Sequence, residues 1–231
     1  MRLLNLNSIV AVHGLGGHWR HTWTGDSGKN WLRDFLPLQL QDAGITARVL
    51  SYGYDSDTAF SKAVTDIDDV AGMLLDRLVG ERQSREEKSR GVIFIAHSLG
   101  GILVKKAWRV FVLEQILATD SLQAMILANE RSKYYGDLLL HVRAVVFLGV
   151  PHRGSDIAFW ATFAANILRY GQVSLRTNPT YVKALQKNSP TFANISTQFV
   201  DRAEQLLIRT FYETERMGNQ VVSFRNSPVW C

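Results

Sequence analysis

A chain of 231 residues that is 46% hydrophobic and 20% charged is long enough for a full core and too apolar for a disordered protein. Its 26 Lys and Arg outnumber its 21 Asp and Glu to leave a net charge of +5, but the basic residues are scattered, which argues against a nucleic-acid groove and leaves a mild preference for anionic surfaces. A lone cysteine, Cys231, excludes an intramolecular disulfide, and no run is apolar enough for a signal peptide or a membrane span, so an intracellular, cytoplasmic protein is expected.

Residues 6–12 form an apolar run that reads as a strand, followed by the loop His13-Gly14-Leu15-Gly16-Gly17 and a polar, Gly-containing stretch with Trp19 and Trp23. A helix is expected from Asn30 to Ala43, with Trp31, Phe35 and Leu38 marking its turns and Gly44 its stop. Ile45 to Tyr54 reads as a second strand. Residues 59–80 carry Phe60, Val64, Ile67, Ala71, Leu74 and Leu78 at steps of three and four, the stripe of an amphipathic helix. The charged stretch Glu81 to Arg90 mixes both signs and is expected to be a solvated loop.

Gly91 to Ala96 is a third strand, and a helix with Ile102, Leu103, Ala107, Val110 and Phe111 follows it. A polar helical insert is expected over 119–133. The run Val142 to Val150 reads as a fourth strand, continuous enough to be buried on both faces. Residues 156–205 read as a lid-like helical insertion in three pieces, broken near Gly171, Pro179 and Pro190. Leu206 to Thr214 is a fifth strand and Gln220 to Phe224 a sixth. Strands alternating with helices predict an α/β fold, a mainly parallel sheet flanked by helices, in one domain spanning 1–231.

Two loops carry the chemistry. In Ala96-His97-Ser98-Leu99-Gly100-Gly101 a tight turn between strand and helix holds one serine, the way a nucleophile elbow presents its hydroxyl. Small residues two before and two after the serine suit a turn pressed against its neighbours; Ala96 departs from the usual glycine by one methyl. The loop 13–17 ends another strand, and its glycines let backbone approach a substrate oxygen. The amides of Leu15 and Leu99 could then bind an oxyanion. A phosphate loop is the rival reading, but 13–17 lacks the lysine of a P-loop and the spacing of a dinucleotide fingerprint.

These loops, with the segment Phe147-Leu148-Gly149-Val150-Pro151-His152-Arg153-Gly154-Ser155, resemble the α/β-hydrolase superfamily. Within it they resemble the serine esterase group of serine-active-site-containing, lipase-like proteins and the hydrolase-like N-terminal domains of fungal multidomain proteins. The resemblance runs from about residue 6 to about 214. It implies esterase or lipase chemistry on Ser98, no metal or organic cofactor, and a small-molecule or lipid acyl ester as substrate. It also leaves room for peripheral membrane contact and for further domains in a longer natural protein. It implies an acid at the end of the fifth strand, where Glu213 fits in the expected chain order; Asp156 is the reserve.

The base is the difficulty. The family order puts a histidine after the acid, and no histidine follows His152 in this sequence. The terminal strand and helix that would carry it are expected to be missing. His97 should be turned away from the serine, His13 is expected to brace its loop, and His152 follows a strand end from which it could reach the cleft; all three read as structural rather than catalytic. His18, His21 and His141 have no motif behind them. The alternative to a working enzyme is a hydrolase-fold signalling or interaction domain without the triad histidine. In 156–170 two apolar faces, one with Ile157, Trp160 and Ala164 and one with Phe159, Phe163 and Tyr170, would suit a lipophilic acyl group.

Overall fold

A computed structural model describes residues 7–56, 59, 64–116, 133–150, 179–200, 203–213 and 224–227. A six-stranded sheet in the order β2-β1-β3-β4-β5-β6 organises them, with β1 Asn7–Val12, β2 Ala47–Tyr52, β3 Gly91–His97, β4 Val142–Leu148, β5 Leu207–Glu213 and β6 Phe224–Ser227. The first five strands are parallel, as the alternating pattern predicts; β6 joins β5 antiparallel. The expected sixth strand thus begins at Phe224, where its sequence was expected to end.

Alternation along the strands gives the sheet two unequal faces. Val10, Val12, Phe94, Ala96, Val145 and Phe147 point into the larger core. That core is covered by α3 (Val64–Gly80), α5 (Gly100–Ile116) and α6 (Pro179–Val200), with α5 between the other two. The opposite face is thinner: Ala11, Trp23 and Leu32 are its buried centre, with Trp31, Val49 and Leu148 packed against them. Expected burial of β4 on both faces is therefore met on one only, since Ala144, Val146 and Leu148 are half-buried.

The helices depart from expectation in three places. The helix expected from Asn30 to Ala43 is two, α1 (Trp31–Asp34) and α2 (Leu36–Asp42), separated at Phe35 with φ −120°. Pro37 has no amide to donate to the Arg33 carbonyl and its ring would crowd that carbonyl, so α1 ends and a new helix starts with Pro37 in its first turn. The reset changes the phase: Leu32 is buried while Phe35 and Leu38 are exposed. The charged stretch is not merely a solvated loop. It holds the short helix α4 (Arg85–Lys88), where the Ser84 side chain accepts from the Glu87 amide and the Glu87 carboxylate from the Ser84 amide, and Arg82 beside it is buried. Pro179 starts α6 and Pro190 lies inside it on the exposed side, so neither breaks the helix. Proline is at home in a first turn, and at 190 it sits on the exposed side of the helix.

Of the lid-like insertion expected over 156–205, residues 156–178 lie outside the described residues; the described remainder packs on the core through Phe192, Ile195 and Phe199. Most of the insert expected over 119–133 lies outside them too. No helix among the described residues is long and apolar enough to cross a membrane.

Candidate active site

The carboxyl ends of β1, β3, β4 and β5 meet at one edge. Val12 pairs with Ala96, His97 with Leu148, and Leu148 with Phe211. Beyond the strands the backbone keeps stitching this edge: the Ser98 amide donates to the Leu148 carbonyl at 2.9 Å and the Gly149 amide to the Phe211 carbonyl at 2.8 Å. Open parallel sheets bind their ligands outside this edge.

Ser98 stands in the turn from β3 to α5 with φ +53°, the one non-glycine residue with positive φ among the described residues. Such backbone costs about 1–3 kcal/mol and persists only where neighbours over-determine it. Three do. The Ser98 carbonyl accepts from the Gly101 amide at 3.0 Å, its amide is held by β4, and the loop 13–17 presses on it from β1. A Cβ built on Gly14 would lie 2.8 Å from the Ser98 Cβ and 3.2 Å from its Oγ, and one on Gly100 would run into the His13 carbonyl. Both positions demand glycine because backbone passes where a side chain would be.

Sequence reasoning gave no sign of the residues that hold the loop 13–17. The Gly16 amide donates to the Ser56 hydroxyl at 3.0 Å, and Ser56 is buried. The Tyr54 hydroxyl donates to the His13 carbonyl at 2.7 Å, and its ring stacks on the His13 ring at 4.4 Å. Burial pushes the Tyr54 phenol well above its ordinary pKa, so it remains a donor. Their only clue was position near the carboxyl end of β2.

The Leu15 amide and the Leu99 amide donate to no acceptor among the described residues, while the two amides after Leu15, those of Gly16 and Gly17, are bonded. Both leucines are buried. Leu99 also lies at the N-terminus of the 17-residue α5, where the helix dipole favours negative charge.

Each histidine has its own surroundings. The His13 Nδ1 lies 2.9 Å from the Gly14 carbonyl, which can only accept, so His13 donates and braces the loop as expected. His97 is turned to the thinner face, edge-on to Trp23 at 6.5 Å, away from the serine. Burial lowers both imidazoles below the ordinary histidine value, so neither carries charge at neutral pH. His18 and His21 lie together on the surface, and His141 sits at the opposite edge of the sheet, before β4. No side chain among the described residues hydrogen-bonds the Ser98 hydroxyl.

The Glu213 backbone closes β5 at the carboxyl edge, paired with Phe224 of β6; its side chain lies outside the described residues, as do His152 and Asp156.

A model of the Alpha/beta hydrolase family matches residues 9–229. Among curated proteins, the chain is similar to Protein SERAC1 of Mus musculus (25% identical over 223 residues, 90% of this chain) and of Homo sapiens (23% identical over 222 residues, 89% of this chain). It spans 30% of the length of each. Among solved structures it is similar to Thermogutta terrifontis esterase 2 phosphonylated by cyclosarin, with a TM-score of 0.35 and 14% identity over 90% of this chain and 72% of that one. It is also similar to lipase 1 from Pelosinus fermentans, with a TM-score of 0.35 and 16% identity over 87% and 51%.

Proposed function

Because this chain belongs to the α/β hydrolase family, we propose that it is a serine hydrolase of the esterase or lipase type, acting on esters of a lipophilic acyl group through an acyl-enzyme on Ser98. The observation that carries the reading is the positive φ of Ser98 in a turn locked between β4, α5 and the glycine loop. That the one non-glycine residue with positive φ among the described residues is a serine at the ligand-binding edge supports a role for its hydroxyl.

The Ser98 Oγ attacks the ester carbonyl and forms a bond to its carbon as the hydroxyl proton passes to a base. The carbonyl oxygen takes up negative charge between the Leu15 and Leu99 amides, whose missing acceptors support that role. One such donor is worth about 3–4 kcal/mol of transition-state stabilisation. The carbon–oxygen bond to the alcohol then breaks, the alcohol leaves with a proton, and water cleaves the acyl-serine to return the hydroxyl. Glu213 is assigned to orient and stabilise the base from the end of β5, ahead of Asp156. The base that the family order implies is a histidine; no histidine follows Glu213 in this sequence, and His152, which comes after β4 in sequence, is the candidate to be tested.

A second reading has its own observation. With no imidazole on the Ser98 hydroxyl among the described residues, the chain could be a hydrolase-fold interaction domain that does not turn over. Removing the triad histidine of a well-studied protease costs about 10⁶ in turnover, while binding and the oxyanion hole alone retain about 10³–10⁴ over water. A series of p-nitrophenyl esters from acetate to palmitate separates the two readings. The enzyme hydrolyses the longer acyl chains with a rate that Ser98→Ala abolishes; a rate at background for every chain length refutes it.

A further inference from the structure

At the amino edge of the sheet, across from Ser98, a cleft of about 800 Å³ opens between the segment leading into β3 and the helical stretch 133–140 leading into β4. The seven residues of β3 separate it from the elbow by roughly 20 Å. Arg82, Arg85, Lys88 and Lys133 line it, against one carboxylate, that of Asp137. Such a concentration of one sign in a concave wall focuses the field on an incoming anion.

Arg82 makes this more than a patch of surface lysines. It is 3% exposed, and its Nη2 donates to the Lys88 carbonyl at 2.6 Å, which fixes the guanidinium in the cleft wall. Its Nη1 is buried with no hydrogen-bond partner. A buried charged donor without an acceptor is costly, and proteins rarely keep one without a use. The carboxylates nearby are engaged: Arg48 pairs with Glu81 at 3.4 Å and lies 3.9 Å from Glu87, and Arg90 pairs with Glu86 at 3.2 Å. Burial holds the Arg82 guanidinium below its ordinary pKa, against the pull of Asp137 and with smaller effects of Arg48 and Arg90, which oppose the charge, and Glu87, which favours it. What distinguishes Arg82 is a buried donor nitrogen left without an acceptor among the described residues.

We propose that this cleft is a binding site for a phosphate-bearing anion, with Arg82 as its buried anchor and Arg85 and Lys88 as its exposed arms. A guanidinium fork held rigid by one of its own nitrogens is suited to a phosphate oxygen. The site is independent of ester hydrolysis, and a Ser98→Ala chain binds equally well.

Titration calorimetry of the full chain with inorganic pyrophosphate at low ionic strength tests this. Binding is expected, weakening as salt rises and weakening about tenfold or more in Arg82→Gln. Because Arg82 is buried, the double variant Arg85→Gln/Lys88→Gln, at two exposed positions, is the check that leaves the fold in place; it weakens binding by a similar factor at an unchanged melting temperature. A second arm uses phosphatidylcholine vesicles with and without phosphatidic acid. Sedimentation with phosphatidic acid vesicles alone, lost in the double variant, makes the phosphate that of a lipid headgroup; pyrophosphate binding makes it that of a free molecule. If neither probe binds, or binding survives both variants, the proposal is wrong.

Discussion

At the carboxyl edge, a Cβ on Gly14 would sit 2.8 Å from that of Ser98; at the amino edge, Arg82 looks into a cleft of about 800 Å³. One edge is made by backbone. Its donors are amides, its strain is a φ angle, and its tolerance is a few tenths of an ångström. The other is made by side chains on two segments separated by some fifty residues, with room for a guest and charge to attract one. The comparison teaches where precision is stored. A reacting carbonyl needs donors fixed before it arrives, and backbone locked in a parallel sheet provides that. A charged ligand needs long-range attraction and one rigid contact.

The largest effect expected from this contrast is at Ser98. Ser98→Ala removes the nucleophile, so ester turnover falls to background, on the order of the 10⁶ loss for a triad serine, while pyrophosphate binding is unchanged. Gly14→Ala tests the backbone character of the same edge: it pushes the loop off the serine and costs about 10²–10³ in kcat, as for loss of one oxyanion donor, measured by steady-state kinetics. At the amino edge, Arg85→Gln/Lys88→Gln leaves ester hydrolysis within twofold.

Between the edges lies a third group that belongs to neither. Lys105 on α5 is fully buried, donates to the Ser196 hydroxyl of α6 at 3.0 Å and lies 5.2 Å from the centre of the Phe147 ring. Burial lowers its pKa from 10.5 to about 7. The unfolded chain keeps this proton up to about pH 10.5 and the folded one only to about 7, so unfolding takes up a proton in that window and stability rises with pH across it. Lys105→Met removes that rise. Replacing a buried charge by an apolar side chain of similar length also stabilises by about 1–4 kcal/mol in favourable cases, so a higher melting temperature at pH 7 and a flatter pH dependence in denaturant titrations are expected. The smallest effect is at the amino edge: Ser84→Ala loses the cap of α4 and costs about 0.5–2 kcal/mol, read as a shift of a few degrees in melting temperature.

What the amino-acid sequence made legible follows the same division. The strands β1, β3 and β4, the long helix α3 and the elbow were readable because apolar periodicity and glycine spacing are local signals, and Ser98 with the loop 13–17 was found from them. Tyr54 and Ser56 were not, because they reach the loop from some 40 residues away with side chains of no distinctive pattern. Arg82 was hidden inside a charge run that looks solvated; only the fold decides that one arginine of that run turns inward while its neighbours pair at the surface. The split at Phe35 depended on a proline two residues further on, whose missing amide and ring act on the carbonyl four residues before it, while Pro190 sits inside its helix on the exposed side. In each case local pattern named the element, and tertiary contact chose which residues it would use.

The central claim is that the strained serine at the carboxyl edge is a working nucleophile. Treatment of the full chain with a fluorophosphonate, followed by peptide mass spectrometry, tests it most directly. The account predicts one phosphonyl adduct, on the peptide containing Ser98, formed within minutes and absent from Ser98→Ala. An unmodified Ser98 after prolonged exposure, or equal labelling of the Ser98→Ala chain, contradicts it.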